Sequence, residues 1–166
     1  MNKPDLRLRS YLPKYFQAHE FASKRAYAKR GAQIFEQIDT KLLISADTLR
    51  WFLSGLTPET PEKGILTCND WYYGGKRQFS GLRTYGDKYF RKFSAHSRGM
   101  AGDFISKHYD AETIRKHIIA NKYLFPYITR IEGEVNWLHI DTTNLPSHAP
   151  KGAIEIFYKN KPSIYV

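Results

Sequence analysis

Two histidines and two aspartates stand at spacings that suit a metal ion. His96 and Asp103 are seven residues apart, with the small residues Gly99, Ala101 and Gly102 between them. A ring nitrogen from a loop and a carboxylate oxygen from the strand that follows are ligands that Zn²⁺ accepts, and small intervening residues let the backbone fold tightly around an ion. For that pair alone, a surface ion pair or a hydrogen-bonded loop is the commoner explanation. His139 changes the balance. In Trp137-Leu138-His139-Ile140-Asp141 a polar residue alternates with apolar ones, so on a strand the side chains of 137, 139 and 141 share one face and His139 and Asp141 point together. A third ligand of this kind, with a carboxylate nearby, is the arrangement of a catalytic zinc that keeps a fourth position open to water.

The elements that must position these groups read as a hairpin. Tyr127 to Glu132 and Trp137 to Thr143 have strand character, and Gly133-Glu134-Val135-Asn136 between them is turn-like. A turn at Glu134-Val135 sets Glu132 across from Trp137 and Arg130 across from His139, all on one face. Glu132 is then the carboxylate aimed at the His139 face, and Glu134, in the turn, is the alternative. Ile65 to Cys68 and Ile154 to Tyr158 read as further short strands, and Trp71 to Gly75 as an aromatic loop that either walls a cleft or packs in the core. The first third reads as helical. Phe16, Phe21 and Tyr27 punctuate a polar segment, and Ile38, Leu42, Leu43, Leu49, Phe52 and Leu53 recur near helical spacing until Gly55 and Pro58. Asp110 is placed to cap a helix that carries Glu112 in its first turn and runs on through Ile114, His117, Ile118 and Tyr123 toward Pro126. Helices grouped ahead of strands predict an α+β domain with N-terminal helices on a mostly antiparallel sheet.

Composition limits the alternatives. With 166 residues, 42% of them hydrophobic and no repeat or Ser/Gly tract, one domain spanning 1–166 is expected, able to bury about 70% of its unfolded surface. The single Cys68 excludes an internal disulfide and a thiolate-rich zinc site, and reads as a buried small hydrophobe. Apolar runs such as Leu42-Leu43-Ile44 fall far short of the ~20 residues a transmembrane helix needs. Met1 to Arg9 carries charge without a following apolar region, so no secretory signal is expected. The net charge of +10 favours polyanionic partners, among them nucleic acid, anionic membrane and the acidic polymers of a bacterial envelope. Lys24-Arg25 to Lys29-Arg30, the densest basic segment, reads as the solvated face of a helix. No nucleic-acid recognition motif is present, and none of that class is expected as a partner. His19, His108, His117 and His148 lack ligand-like spacing and take ordinary surface or capping roles.

These residues resemble the zinc D-Ala-D-Ala carboxypeptidase family, which includes phage L-alanyl-D-glutamate endopeptidases and shares its fold with the hedgehog signalling domain. Its Ser-x-His-x-x-Gly-x-Ala-x-Asp pattern is met by Ser94, His96, Gly99, Ala101 and Asp103, and its His-x-Asp element by His139 and Asp141. Ser80-Gly81-Leu82-Arg83-Thr84 is similar to the family's Ser-Gly-Tyr-Arg-Ser element, with Leu82 in place of the aromatic, and Thr48-Leu49-Arg50 resembles the end of the helix ahead of it. The likeness extends from about Phe16 to Thr143.

The resemblance implies a hedgehog/DD-peptidase-like fold, Zn²⁺ as cofactor, and His96, Asp103 and His139 as its ligands. It also implies that Arg83 contacts the substrate or the carbonyl oxygen on which charge develops. Many relatives carry Glu three residues before the last His, where this chain has Asn136. Glu132, the preferred candidate, or Glu134 must then act as the base; otherwise the domain is an inactive zinc-binding phage structural or binding protein. Asp141 is expected beside a ligand His, or in a strand-end salt bridge, and Ser94 beside the site. The expected protein is a monomeric peptidoglycan hydrolase made in the cytoplasm and acting on the periplasmic or extracellular wall after release, or within a phage particle. Whether it is a carboxypeptidase or an endopeptidase is left open by the shared ligand set.

Overall fold

The structure, a computed structural model, describes residues 11–166. The Met1 to Arg9 segment, read above as lacking a signal, lies outside the described residues. Among the described residues, three helices and six short strands form one α+β domain. Helices α1 (Lys24–Arg30), α2 (Thr40–Gly55) and α3 (Ala111–Ala120) accompany strands β1 (Leu66–Thr67), β2 (Ala101–Ser106), β3 (Arg130–Glu132), β4 (Leu138–Asp141), β5 (Glu155–Phe157) and β6 (Ile164–Tyr165).

Helix α2 forms where the spacing predicts it. Asp39 accepts a hydrogen bond from the Lys41 amide at 2.7 Å and starts the helix. Leu42, Ala46, Leu49 and Leu53 then recur at three- and four-residue intervals and are all buried. The same helix grips the chain before it. Buried Asp47 accepts from the Lys14 and Tyr15 amides and from the Tyr11 hydroxyl, while Arg50 donates to the Tyr15 carbonyl at 2.8 Å. The helical reading of the first third is otherwise too generous. Around Phe16 to Tyr27 the chain makes a 3-10 turn, Ala18–Phe21, and then the two-turn α1, of which only Ala26 is buried. The basic residues of α1 thus form the expected solvated face. Asp110 caps α3 by accepting from the Thr113 amide at 2.8 Å.

The sheet order is β1-β2-β4-β3-β5-β6, antiparallel throughout except for the parallel pair β3–β5. The register of the central strands separates chemistry from core. Asp103 lies opposite His139, Ala101 opposite Asp141, and Asp141 opposite Arg130. Residues facing each other in register share a face, so Asp103, His139, Asp141 and Arg130 line one side of the sheet. Phe104, Leu138, Ile140 and Ile131 turn to the other side and join the core that includes Phe16, Phe21, Leu49, Ile114 and Ile118.

The hairpin expectation needs one correction. Arg130 pairs with Asp141 and Ile131 with Ile140, not Arg130 with His139. The register is displaced by two residues because the loop between the strands is longer than a tight turn at Glu134-Val135. A two-residue shift preserves the face, whereas a shift of one would reverse it. Continued by one residue, the observed register sets Glu132 opposite His139.

Candidate metal centre

His96 sits in the turn His96–Arg98, which ends on Gly99 at φ 70°. A side chain there would be strained by that backbone conformation, and its Cβ would lie 2.0 Å from the Gln37 carbonyl oxygen. Glycine therefore lets the turn press against the segment leading into α2, whose Asp39 amide donates to the Gly99 carbonyl at 2.9 Å. Ser94 closes the same turn. Its hydroxyl accepts from the Ser97 amide at 3.1 Å and bonds the Ser97 hydroxyl. It shapes the His96 turn and does not touch the imidazole.

The segment from Ser80 to Arg83 is the platform for both ligands of the first motif. The Ser80 carbonyl accepts from the Asp103 amide at 2.7 Å, and the Arg83 amide donates to the His96 carbonyl at 3.2 Å. The Gly81 carbonyl accepts from His96 Nδ1 at 2.8 Å. Gly81 itself packs on Phe21, where a Cβ would meet the Phe21 carbonyl oxygen at 2.4 Å. Leu82, in the position of the aromatic, is buried in the core.

The three expected ligands converge. His96, Asp103 and His139 each offer a ligand atom, and these atoms lie within 4.8 Å of one another. His96 Nε2 is 3.4 Å from Asp103 Oδ2, and His139 Nδ1 is 2.7 Å from Asp103 Oδ1. Both histidines are buried. Their hydrogen bonds define what they can hold. A carbonyl can only accept, so His96 Nδ1 carries the proton it gives to Gly81; in the neutral ring, Nε2 then presents a lone pair toward a carboxylate oxygen. His139 Nε2 faces Asp141 Oδ2 at 3.3 Å, so a neutral ring donating there presents its Nδ1 lone pair toward Asp103. Two lone pairs and a carboxylate aimed at one point fit a divalent cation, with the outer hydrogen bonds fixing each tautomer.

The same geometry perturbs the charges in the metal-free protein. Burial works against charge on His139, but its hydrogen bonds to Asp103 and Asp141 outweigh that cost and raise its pKa to about 9. Burial acts to raise the Asp103 carboxyl, yet hydrogen bonds from His139 and His96 bring it well below the usual carboxylate range. Asp141 fills both roles anticipated for it. Besides meeting His139 it accepts from Arg130 Nη1 at 3.3 Å and from the Thr143 amide at 3.1 Å. Arg130 in turn bonds Glu155 at 2.7 Å and lies over the Phe157 ring, which also packs edge-on against His139.

Arg83 is at the site but not free in it. Its guanidinium donates to Asp103 Oδ2 at 3.0 Å and to the Phe79 carbonyl at 2.6 Å, and burial lowers its pKa. The two carboxylate candidates are separated by their surroundings. Glu132 lies on the His139 face, half-buried, with its carboxylate close enough to Arg83 to favour the guanidinium's charge and in no hydrogen bond among the described residues. Glu134, at φ 61°, is exposed and pairs with Lys161. Asn136 is exposed and borders a separate hollow beside α3, with Asp110 and Arg115.

Arg115 explains the loop that carries these residues. It is buried in α3 and donates to the carbonyls of Glu132 at 3.3 Å, Val135 at 2.9 Å and Trp137 at 3.1 Å. Neither Arg115 nor the Gly81 carbonyl stands out in the sequence, because each acts through backbone atoms far along the chain.

A cleft of about 480 Å³ opens beside Asp103, bordered by Lys76, Phe79, Arg83, Lys88, Tyr89 and Trp137 among others. Arg83, Asp103 and Trp137 were expected at the site, whereas Lys76, Phe79, Lys88 and Tyr89 were not. Trp71 to Tyr73 do not border the cleft. They surround His19, with Tyr72 stacked on it at 4.0 Å and Trp71 donating to the His19 and Ala22 carbonyls. Cys68 is fully buried, and burial raises its thiol pKa. No helix among the described residues is long and apolar enough to cross a membrane. Comparison with models of known families, with curated proteins and with solved structures returned no match.

Proposed function

We propose that this chain is a zinc metallopeptidase that hydrolyses peptide bonds in the stem peptides of peptidoglycan, as a carboxypeptidase or an endopeptidase. The observation that carries the reading is the joint placement of His96, Asp103 and His139 around one point, with the Glu132 carboxylate in no hydrogen bond among the described residues on the same face and a cleft alongside. The resemblance in the motifs around His96 and His139 supplies the substrate class, and a phage lysis enzyme or virion-associated wall hydrolase is the setting we infer.

Zinc held by the three ligands would polarise the scissile carbonyl and lower the pKa of the attacking water. The protein's own groups do the rest. Glu132 takes the proton from that water and hands it to the leaving amine, which suits a carboxylate with no competing hydrogen bond. Arg83, held by Asp103 and the Phe79 carbonyl at the border of the cleft, stabilises the negative charge that develops on the carbonyl oxygen. Asp141 and the Gly81 carbonyl hold the two imidazoles in their ligating tautomers.

Purified peptidoglycan incubated with the zinc-loaded protein, with chelator, and with chelator followed by excess zinc is the direct test. New amino and carboxyl termini, read by mass spectrometry, are expected in the first and third arms only. Zinc binding without cleavage would overturn the peptidase reading in favour of a non-catalytic zinc-binding phage protein.

A further inference from the structure

The cleft beside His96, Asp103 and His139 is bordered by four cationic side chains, which differ in how they are committed. Of its charged residues, Lys76, Arg77, Arg83 and Lys88 are cationic, and Asp103 is the one carboxylate bordering it. Asp103 is already engaged by His96, His139 and Arg83. Arg77 is held by the carbonyls of Cys68 at 3.1 Å and Asp103 at 3.3 Å, so it lends charge to the cleft but is fixed in its wall. Lys76 and Lys88 are different. Both are exposed, and neither ammonium has a carboxylate partner among the described residues. Lys88 lies 5.1 Å from the centroid of the Tyr89 ring, which with Phe79 and Trp137 gives the cleft an apolar wall. Unpaired lysines at the mouth of a cleft with such walls raise the local concentration of anions and would orient an anionic ligand group.

We infer that this cleft selects substrates by a free carboxylate, which Lys76 and Lys88 hold while the neighbouring peptide bond lies at the metal group. The inference rests on the peptidase reading, and it names what that site prefers: an acidic stem peptide over the same peptide with its carboxylate masked as an amide. Each lysine is solvent-exposed, so its share is modest, at most about five-fold in affinity or kcat/KM. The two together are expected to give several-fold, and at most about 25-fold.

The test uses three synthetic stem peptides: one with all carboxylates free, one with the glutamate α-carboxylate amidated, and one with the C-terminal carboxylate amidated. Binding to the zinc-loaded protein is measured by calorimetry and cleavage by kcat and KM, for the wild type and for Lys76→Gln/Lys88→Gln. The wild type is expected to bind the free acid more tightly than at least one amide, the amide that loses affinity identifying the carboxylate that is read. In the double variant that preference should collapse, through KM and not kcat. Equal binding of all three peptides by the wild type, no binding of any, or an unchanged preference in the double variant would overturn the inference. Preferential binding without cleavage would overturn the peptidase reading alone, and cleavage without preference would overturn this inference alone.

Discussion

Replacing Glu132 by Gln keeps volume and hydrogen-bonding capacity but removes the proton acceptor. The Glu132 carboxylate makes no hydrogen bond among the described residues, so the folded state loses only its charge near Arg83, and stability should change by less than about 1 kcal/mol. Loss of a general base costs a factor of ~10²–10⁴ in turnover, which is about 3–5 kcal/mol of barrier. The perturbation should therefore appear almost wholly in kcat, with zinc content and thermal unfolding unchanged. Glu134→Gln is the matched control. Glu134 projects to solvent and pairs there with Lys161, where water screens the interaction. Turnover of a defined muropeptide, measured for both variants alongside elemental analysis and a melting curve, separates the two. If Glu134→Gln is the variant that loses turnover, the face assignment is wrong; if neither variant does, Glu132 is not the base and the proposed proton path fails.

Three further outcomes follow from the centre itself. His96→Ala should lower bound zinc from about one per chain to near zero by elemental analysis, and full occupancy in that variant would refute the ligand set. His139 has a pKa of about 9 in the metal-free protein and must be neutral to ligate, so zinc binding at pH 7 should release about one proton from it. Affinity should accordingly strengthen with rising pH up to about 9 and then level off. Calorimetry in buffers of different ionisation enthalpy checks this, and no proton release would contradict it. Gly99→Ala forces a side chain onto a positive-φ position against the Gln37 carbonyl and should cost about 2–4 kcal/mol, lowering Tm by ~5 °C or more.

The parts of this molecule that are legible in its sequence are those whose signals are local. Helix α2 announces itself through apolar residues at helical spacing and α3 through the cap Asp110, whereas the Asp39 cap of α2 is seen only in the structure. The strand alternation around His139 correctly sets its face. What could not be read depends on distant partners. The two-residue displacement of the hairpin arises where Arg115 holds three carbonyls of the loop, a contact that no pattern between Glu132 and Trp137 encodes. The parallel pairing of β3 with β5, and the two-residue β6, likewise carry no nearby signature. In the candidate site, His96 and Asp103 stand out because possible ligand types lie seven residues apart with small residues between them, and His139 because it alternates with apolar residues beside Asp141. Lys76 and Lys88 do not, since two lysines on separate loops look like any other surface charge until the fold brings them to one cleft.

The grip of Arg115 on the β3–β4 loop has a consequence for how freely that loop can vary. All three acceptors are main-chain carbonyls, so the path of the loop is imposed from α3 and is indifferent to which side chains it bears. Glu134 and Asn136 both project to solvent, and Glu134 occupies a backbone conformation that Gly or Asn adopts more easily. The chain can thus exchange residues at these two positions while Glu132 and His139 keep their alignment. Responsibility for that alignment lies with a guanidinium outside the loop, and the tolerance to mutation is displaced from the face that bears Glu132 and His139 to the turn that connects it.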